Sequence, residues 1–381
     1  MKTLKALISL TGALLLASCT QKEKNDTKSD LVRINVDLSN KTEVYDIGND
    51  IEPEWEICAL ETNDDCLIAG ITRINYKNDL YYILDMRSSV ILVFNRKGEF
   101  VSKLNKKGTG PDDYIQIGAY AVVGKNVWIA GGYDLICYDE NWHAIERQRL
   151  TILPVWDMAE QNGCIYIASN WNGHTCQLAE YDMTGKQQNC LMTLPPYNPA
   201  DRRKINKQSQ LAFSEEGSLF IHNFCDTIFR ISDHQVIPQY RFSFSERYED
   251  ISLPKEEFAN PTDLIRGLMC IFKTPGSIVL PFVDKSILQY AVYNEKKETS
   301  RVYAKFGYAE LGHLTSSWSC HFTSDGEMIW IYEPEELLEM IDESKIKNEA
   351  DRQKIHAVLS NAQKDDNPIL FRFKLKKGAG L

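Results

Sequence analysis

The sequence predicts an all-β fold: a six-bladed β-propeller with a short helical insertion in its last blade. Two observations lead to this prediction. The stretch from Leu80 to Tyr114 reads as most of one four-stranded blade, and similar strand-and-turn units recur along the rest of the chain. The length of 381 residues suits a single large all-β domain.

The stretch from Leu80 to Tyr114, which we number blade 1, alternates apolar runs with turns. Leu80–Leu84 and Val90–Phe94 are continuous apolar runs, as expected for strands covered on both faces. Asn95-Arg96-Lys97-Gly98 supplies a tight turn before an outer strand that begins at Phe100. Gly108-Thr109-Gly110-Pro111 breaks regular structure, and we interpret it as the link between blades. It has neither the lysine nor the helix that a phosphate cradle needs.

The same unit recurs at a propeller-like spacing. The turns that begin at Asp139 and Asp182 lie 43 residues apart. Blades 2 to 6 are predicted over residues 119–150, 155–194, 209–244, 264–304 and 318–375. Five or seven blades remain alternatives, because blades 4 to 6 carry insertions.

The segments outside these repeats have predicted roles of their own. Val32–Leu38 alternates apolar and polar residues, and we expect it to pair with C-terminal strands and help to close the ring. Trp55–Leu60 is expected to lead into the first blade. Residues 335–362 follow Pro334 and predict one or two amphipathic helices within blade 6. These helices would cap one face of the ring or contact a partner.

The N-terminus predicts a lipid anchor. Residues 1–18 resemble a lipoprotein signal peptide, with Lys2 and Lys5 before the apolar run Leu7–Leu16. Leu16-Ala17-Ser18-Cys19 matches a lipobox, in which the Cys19 thiol receives the diacylglyceryl group. Residues 19–30 form a flexible tether and residues 31–381 the propeller. The alternative is an ordinary secretory signal with a chance cysteine.

The net charge bears on the kind of ligand, and the number of cysteines bears on disulfide formation. The net charge of −10 argues against binding of nucleic acid, which needs basic patches. Nine cysteines follow Cys19, an odd number with no C-x-x-C pair, so free core thiols are expected. Local bridges between Cys58 and Cys66, or between Cys164 and Cys176, are the alternative.

Several of these motifs resemble a known family. Ile57–Asp64 (ICALETND), Leu92–Tyr114 (LVFNRKGEFVSKLNKKGTGPDDY) and Asp226–Ile231 (DTIFRI) look like motifs of bacterial six-bladed β-propeller lipoproteins related to NHL-repeat propellers. Asn95 and Asp113 replace the usual Asp and Glu of that pattern. The resemblance implies a binding role at the bacterial envelope, although most members have no defined function.

No catalytic or metal-binding motif is present. The sequence lacks H-E-x-x-H, G-x-S-x-G, a P-loop and an EF-hand loop, and its seven histidines are scattered without ligand spacing. No catalytic residue, metal site or cofactor is therefore predicted. The acidic pairs Asp64-Asp65, Asp112-Asp113 and Asp365-Asp366 could contact Ca²⁺, but we favour their interpretation as solvated turn residues.

Propeller geometry predicts where a ligand would bind. Loops between the second and third strands share one face of the ring with the crossovers between blades, and small-molecule sites gather there. The candidate ligand-binding residues on this face are Arg87, Tyr133, Trp156, Trp171, Asp284 and Trp318. Trp156 and Trp318 could instead be core residues at the starts of inner strands.

The sequence therefore favours a membrane-anchored, non-catalytic binding or scaffold protein of the cell envelope. Its ligand would be a glycan, a peptide or a partner protein. Anchoring in the outer membrane is expected, facing either the periplasm or the surface. A hydrolase or lyase with its site at the channel mouth is the alternative, and it would show converging carboxylates, histidines or a metal there. A structural subunit that uses its helical insertion as a contact is a third possibility.

Overall fold

Six sheets surround a central channel and form a six-bladed β-propeller. The computed structural model describes residues 31–169, 176–193, 210–214, 217–222, 226–245, 270–284, 287–316, 320–323 and 326–377. In blades 1 to 3 the strands follow one another in chain order from the channel outwards, and blades 4 to 6 do the same except for one N-terminal strand at the outer edge of each. Five or seven blades are therefore excluded.

Three strands precede the first blade, and blades 1 to 3 then follow as four-stranded antiparallel sheets. The leading strands are β1 (Val32–Val36), β2 (Lys41–Asp46) and β3 (Ile51–Ala59). Blade 1 contains β4 (Arg73–Lys77), β5 (Leu80–Asp85), β6 (Val90–Asn95) and β7 (Phe100–Leu104). Blade 2 contains β8 (Ile117–Val123), β9 (Asn126–Gly131), β10 (Asp134–Tyr138) and β11 (Ala144–Arg149). Blade 3 contains β12 (Val155–Gln161), β13 (Cys164–Ser169), β14 (Cys176–Tyr181) and β15 (Gln187–Thr193).

Blades 4 to 6 each incorporate one of the leading strands at the outer edge. Blade 4 contains β16 (Leu211–Ser214), β17 (Gly217–Ile221), β18 (Thr227–Ser232) and β19 (Gln235–Phe244). Blade 5 contains β20 (Phe272–Thr274), β21 (Ser277–Asp284), β22 (Ile287–Asn294) and β23 (Thr299–Tyr308), and the short β24 (Leu314–Thr315) pairs with β23. Blade 6 contains β25 (Cys320–Phe322), β26 (Glu327–Tyr332) and β27 (Ile369–Leu375).

The burial of each strand follows its position in the blade. Five of the six residues of β5 and of β6 are buried, because the middle strands pack against neighbouring blades on both faces. The outer strand β11 is almost wholly exposed and is rich in charged residues. The continuous apolar runs seen in the sequence are thus the middle strands.

Ring closure differs from the prediction. Val32–Leu38 does not pair with C-terminal strands: β1 runs parallel to β19, with Val32 opposite Tyr240. β2 similarly runs parallel to β23 in blade 5. Closure is made by β3, which pairs antiparallel with β27 as the outer strand of blade 6. Trp55–Leu60 therefore completes the last blade. Alternation identifies a half-buried strand but carries no information about its partner.

The link between blades 1 and 2 is held by its own side chains. The Gly110 amide donates to Asp113 Oδ2 at 2.7 Å, and a Cβ on Gly108 would lie 2.3 Å from the same oxygen. The buried Tyr114 hydroxyl donates to the carbonyl oxygens of Ser89 at 2.7 Å and Leu104 at 3.2 Å. The Gly-rich motif is thus a structural crossover, as predicted.

The Leu60-Glu61-Thr62 motif fixes the junction between the last blade and the first. Buried Asn367 donates to the carbonyl oxygens of Glu61 at 2.6 Å and Cys66 at 2.9 Å, and it accepts from the Ile68 amide at 2.9 Å. The Asn367 amide donates to Thr62 Oγ1 at 2.8 Å. Glu61 in turn accepts from the Phe100 amide at 2.7 Å. The motif therefore ties ring closure to blade 1.

The predicted helical insertion lies between β26 and β27. It contains α1 (Pro334–Met340) and α2 (Glu349–Leu359), and Asn348 caps α2. Leu337 and Ile355 are buried in one apolar cluster with Trp55 and Phe371 of blade 6 and with residues of blade 5. Of the two roles predicted for the helices, packing on their own propeller is the one seen.

The disulfide differs from the predicted pairs. Cys176 and Cys190 join β14 to β15, with their Cα atoms 5.9 Å apart. The predicted Cys164–Cys176 bridge is therefore wrong, and Cys58 and Cys66 are buried free thiols. The cysteine that pairs with Cys176 is determined by which strands are adjacent, and the spacing of cysteines along the chain does not show this. Free core thiols, the favoured prediction, are seen at Cys137, Cys270 and Cys320.

Residues 1–30, which contain the predicted signal peptide, Cys19 and the tether, lie outside the described residues. Among the helices that the structure describes, none combines the length and apolar character needed to cross a bilayer.

Candidate functional site

The innermost strands of all six blades line the central channel. The cavity has a volume of about 250 Å³, which is room for roughly eight waters or one small organic molecule. Its wall combines aromatic side chains, Phe213, Phe272, Phe322 and Tyr290, with a smaller number of charged groups. It therefore shows both the aromatic groups expected of a binding site and the titratable groups expected of an enzyme.

An ion pair crosses the channel from blade 1 to blade 3. Arg73 of β4 places Nη1 2.5 Å from Oδ1 of Asp157 on β12, and Asp157 is almost wholly buried. Asp157 Oδ1 also accepts from the Met158 amide at 2.7 Å, and Oδ2 accepts from the amides of Gln210 and Leu211 at 2.6 and 2.7 Å. The intervening strand β8 contributes only Ala121 and Val122 to the channel wall, so the guanidinium reaches past short side chains.

A histidine and two thiols of the opposite wall complete the centre of the channel. His321 of β25 lies in the channel wall, and burial together with the charge of Arg73 lowers its pKa to about 4. The imidazole is therefore neutral at neutral pH. Burial raises the pKa of the Cys270 and Cys320 thiols, which line the same cavity. Protonated thiols are poor nucleophiles.

The lysines of the channel have different surroundings. Lys77 of β4 donates to the carbonyl oxygen of Val122 at 3.1 Å. Lys273 of β20 is buried, and its Nζ lies 2.7 Å from Oε2 of Glu295 and 2.9 Å from the Thr274 carbonyl oxygen. Lys273 is thus neutralised by a carboxylate.

Sequence analysis did not single out Arg73 or Asp157, and it treated His321 as one of several scattered histidines. The signal that could have found them is a charged residue within a predicted innermost strand, since such a side chain must face the channel or be paired. The contact between Arg73 and Asp157 spans blade 2, so no local pattern predicts it.

Two of the predicted ligand-binding residues are exposed in loops between second and third strands. Arg87 follows β5, and its Nη1 donates to the Ala69 carbonyl oxygen at 3.3 Å. Tyr133 lies between β9 and β10, is 51% exposed, and stacks under Arg149 with the guanidinium carbon 4.7 Å from the ring centroid. Neither residue is part of the channel wall.

The other predicted residues have different positions. Asp284 ends β21, is buried and forms an ion pair with Lys41 of β2. Trp156 is a partly buried residue of β12, next to Asp157. Trp171 and Trp318 lie outside the described residues. The structure therefore does not bring the four described candidates together in one site.

Exposed apolar side chains concentrate on the face that carries the crossovers and the loops between second and third strands, which we call the crossover face. In the described part of the chain, nine large apolar residues are exposed, and six of them belong to this face. The six are Leu67, Ile115, Tyr133, Ile287, Leu338 and Met340. The other three, Val44, Val101 and Ile145, lie on outer strands.

Comparison with known proteins shows which family the chain belongs to. A family model described as a domain of unknown function, DUF4934, matches residues 31–374. The chain belongs to this family. No curated protein matches the sequence.

Solved structures share the fold of this DUF4934 domain. A protein from Bacteroides fragilis NCTC 9343, described as exported, matches with a TM-score of 0.67 and 16% identity, over 91% of this chain and 100% of that one. A member of the DUF4221 family from Bacteroides vulgatus ATCC 8482 matches with a TM-score of 0.50 and 11% identity, over 86% of this chain and 99% of that one. At these identities the likeness concerns the fold.

The acidic pairs of the DUF4934 domain take part in turns and ion pairs. Asp65 pairs with Lys103 at 3.3 Å, and Asp366 Oδ2 accepts from the Gln363 amide at 2.8 Å. Within the described ranges, no three His, Cys, Asp or Glu side chains converge as metal ligands would.

Proposed function

We propose that this DUF4934 chain is a lipid-anchored binding protein of the bacterial envelope that presents its crossover face to a glycan, a peptide or a partner protein. The observation that carries the proposal is the distribution of exposed apolar residues. Six of the nine in the described part of the chain lie on the crossover face, which also carries one mouth of the channel. Exposed apolar side chains of this kind offer contact area to a ligand or a partner.

The chemistry of the channel favours binding over catalysis. Asp157 accepts three backbone hydrogen bonds and pairs with Arg73, so its carboxylate is occupied in positioning Arg73 and is poorly placed to act as a base. The thiols of Cys270 and Cys320 are held protonated by burial. A small cavity with fixed polar groups is instead suited to recognition.

Two features support an extracytoplasmic location. The Cys176–Cys190 disulfide is of a kind that persists in oxidising compartments. The N-terminal sequence carries the lipobox that ends at Cys19. The resemblance to NHL-related lipoproteins and the expected position in the outer membrane belong to the same proposal.

The anchor is tested by expression of the full chain in a bacterial host with radiolabelled palmitate. The wild-type protein should be labelled and should partition into the detergent phase. The Cys19→Ala variant should be unlabelled and remain in the aqueous phase, whereas Cys164→Ser should behave like the wild type. An unlabelled wild-type protein would contradict the lipoprotein assignment.

The binding face is tested with glycan and peptide arrays probed by the purified mature protein. Binding should weaken at least tenfold in an Ile115→Ser/Tyr133→Ser double variant. A Val101→Ser/Ile145→Ser double variant is the matched control, because these residues are equally exposed, at 51% and 49%, but lie on outer strands. Equal effects of the two double variants on a detected ligand would place binding elsewhere on the molecule.

A further inference from the structure

In the ion pair that crosses the channel, the carboxylate of Asp157 has more hydrogen-bond partners than the guanidinium of Arg73. Oδ1 of Asp157 pairs with Arg73 Nη1 and accepts from the Met158 amide, and Oδ2 accepts from the amides of Gln210 and Leu211, so both carboxylate oxygens are engaged. Both contacts recorded for Arg73, to Asp157 and to the Met158 carbonyl oxygen at 3.5 Å, use Nη1. Among the described residues, Nε and Nη2 of Arg73 have no recorded partner, which leaves three N–H donors.

This arrangement holds Arg73 ready for a further acceptor. Three backbone amides fix Asp157, and Asp157 fixes one edge of the guanidinium. The planar fork of arginine matches two oxygens of a carboxylate or phosphate, and such charge-assisted pairs are the strongest hydrogen bonds available to a protein. Because Arg73 is already immobilised, little side-chain entropy is lost when it binds a second group.

The remaining wall of the cavity suits a small ligand that has both an oxygen acceptor and an apolar part. His321 is a neutral imidazole in the same cavity and can donate one further hydrogen bond to an oxygen. Phe272 and Phe322, whose ring centroids lie 4.7 Å apart, give the wall an apolar side. The volume of about 250 Å³ fits a short organic acid.

We infer that the central channel binds a small organic oxyanion, whose carboxylate or phosphate oxygens are held by the Nε and Nη2 edge of Arg73 with His321 as a further donor. This inference rests on the proposed binding function and names a ligand class for the channel. The crossover face would hold any larger ligand.

The test is titration calorimetry of the mature protein with succinate, citrate and inorganic phosphate, with glucose as a neutral reference. At least one anion should bind, and the ranking of the carboxylates against phosphate identifies the oxyanion. Arg73→Lys keeps the positive charge and the partner of Asp157 but removes the planar fork, so binding should weaken at least tenfold. Lys125→Gln removes an exposed cation outside the channel and should change the affinity less than twofold.

Chemical unfolding of each variant shows whether its fold is retained. The ring Cε1–H resonance of His321 provides a second readout, since it should shift on addition of the anion to the wild type and not to Arg73→Lys. Absence of binding by all three anions would overturn the inference, as would equal affinities of the wild type and Arg73→Lys. Neither result would affect ligand binding on the crossover face, which the Ile115→Ser/Tyr133→Ser variant tests separately.

Discussion

The turn between β6 and β7 packs closely against the end of β3 at the ring junction, and its glycine offers a sharp test. Gly98 has a φ of +87°, and a Cβ added there would lie 2.1 Å from the Ala59 carbonyl oxygen and 3.0 Å from the Ala59 carbonyl carbon. The Gly98 carbonyl oxygen also accepts from the Glu61 amide at 2.8 Å. We therefore expect Gly98→Ala to damage the junction between blades 6 and 1.

The cost has two parts. The left-handed backbone conformation costs a residue with a Cβ about 1 to 2 kcal/mol. Relief of the clash requires the turn to move away from the end of β3, which breaks the bond from the Glu61 amide and strains the bond between Glu61 and the Phe100 amide. At about 1 kcal/mol for each hydrogen bond, the total loss is about 3 to 4 kcal/mol.

Gly163→Ala is the matched control. Gly163 has a φ of +75° in the turn between β12 and β13, and an added Cβ would meet nothing within 4 Å. Only the backbone cost of about 1 to 2 kcal/mol applies there. Urea unfolding followed by tryptophan fluorescence measures both variants. Equal losses in free energy of unfolding would refute the close contact between this turn and β3.

Three further predictions concern the junction, the channel and the disulfide. Asn367→Ala leaves three backbone groups of the junction without their partner and should lower the free energy of unfolding by about 3 kcal/mol, whereas the exposed Asn361→Ala should cost little; similar losses would show that Asn367 does not hold the junction. Between pH 7 and pH 5 the unfolded chain protonates His321, whose usual pKa is about 6.5, while the folded protein, in which the pKa is about 4, does not, so the wild type should lose about 2 kcal/mol more stability over this range than His321→Gln in urea unfolding at each pH. Parallel pH profiles would show that the pKa of His321 is not lowered. Cys190→Ser opens a loop with a sequence separation of 14 and should cost about 3 kcal/mol in urea unfolding, against little for Cys164→Ser, and an unchanged midpoint for Cys190→Ser would exclude the bridge.

The sequence predicted those parts of the fold that depend on neighbours along the chain. The turn at Asn95–Gly98 and the apolar runs of β5 and β6 are local signals, and the structure has them where they were expected. The crossover at Gly108–Pro111 was recognisable for the same reason, since Asp113 and Tyr114 close it within a few residues.

Contacts between distant segments could not be predicted in this way. The partner of β1 lies about 200 residues away in β19, and the alternating pattern of Val32–Leu38 fits any sheet edge equally well. Cys176 pairs with Cys190 because β14 and β15 are adjacent strands, which only the strand pairing reveals. The candidate site depends on Arg73 and Asp157, and these meet only when blades 1 to 3 have curved around the channel.

The leading strands also bear on how an anchored propeller would be oriented. Residues 32–59 pair in succession with blades 4, 5 and 6, and all three pairings are on the outer edges of those blades. Residue 31 therefore enters the ring at the outer rim of blade 4, away from the inner strands that line the channel. A lipid on Cys19 would pull on this rim through residues 19–30, a tether of up to about 40 Å when extended. The proposed anchor would therefore leave the channel accessible, because residue 31 joins the ring at a different part from the one where a ligand would enter.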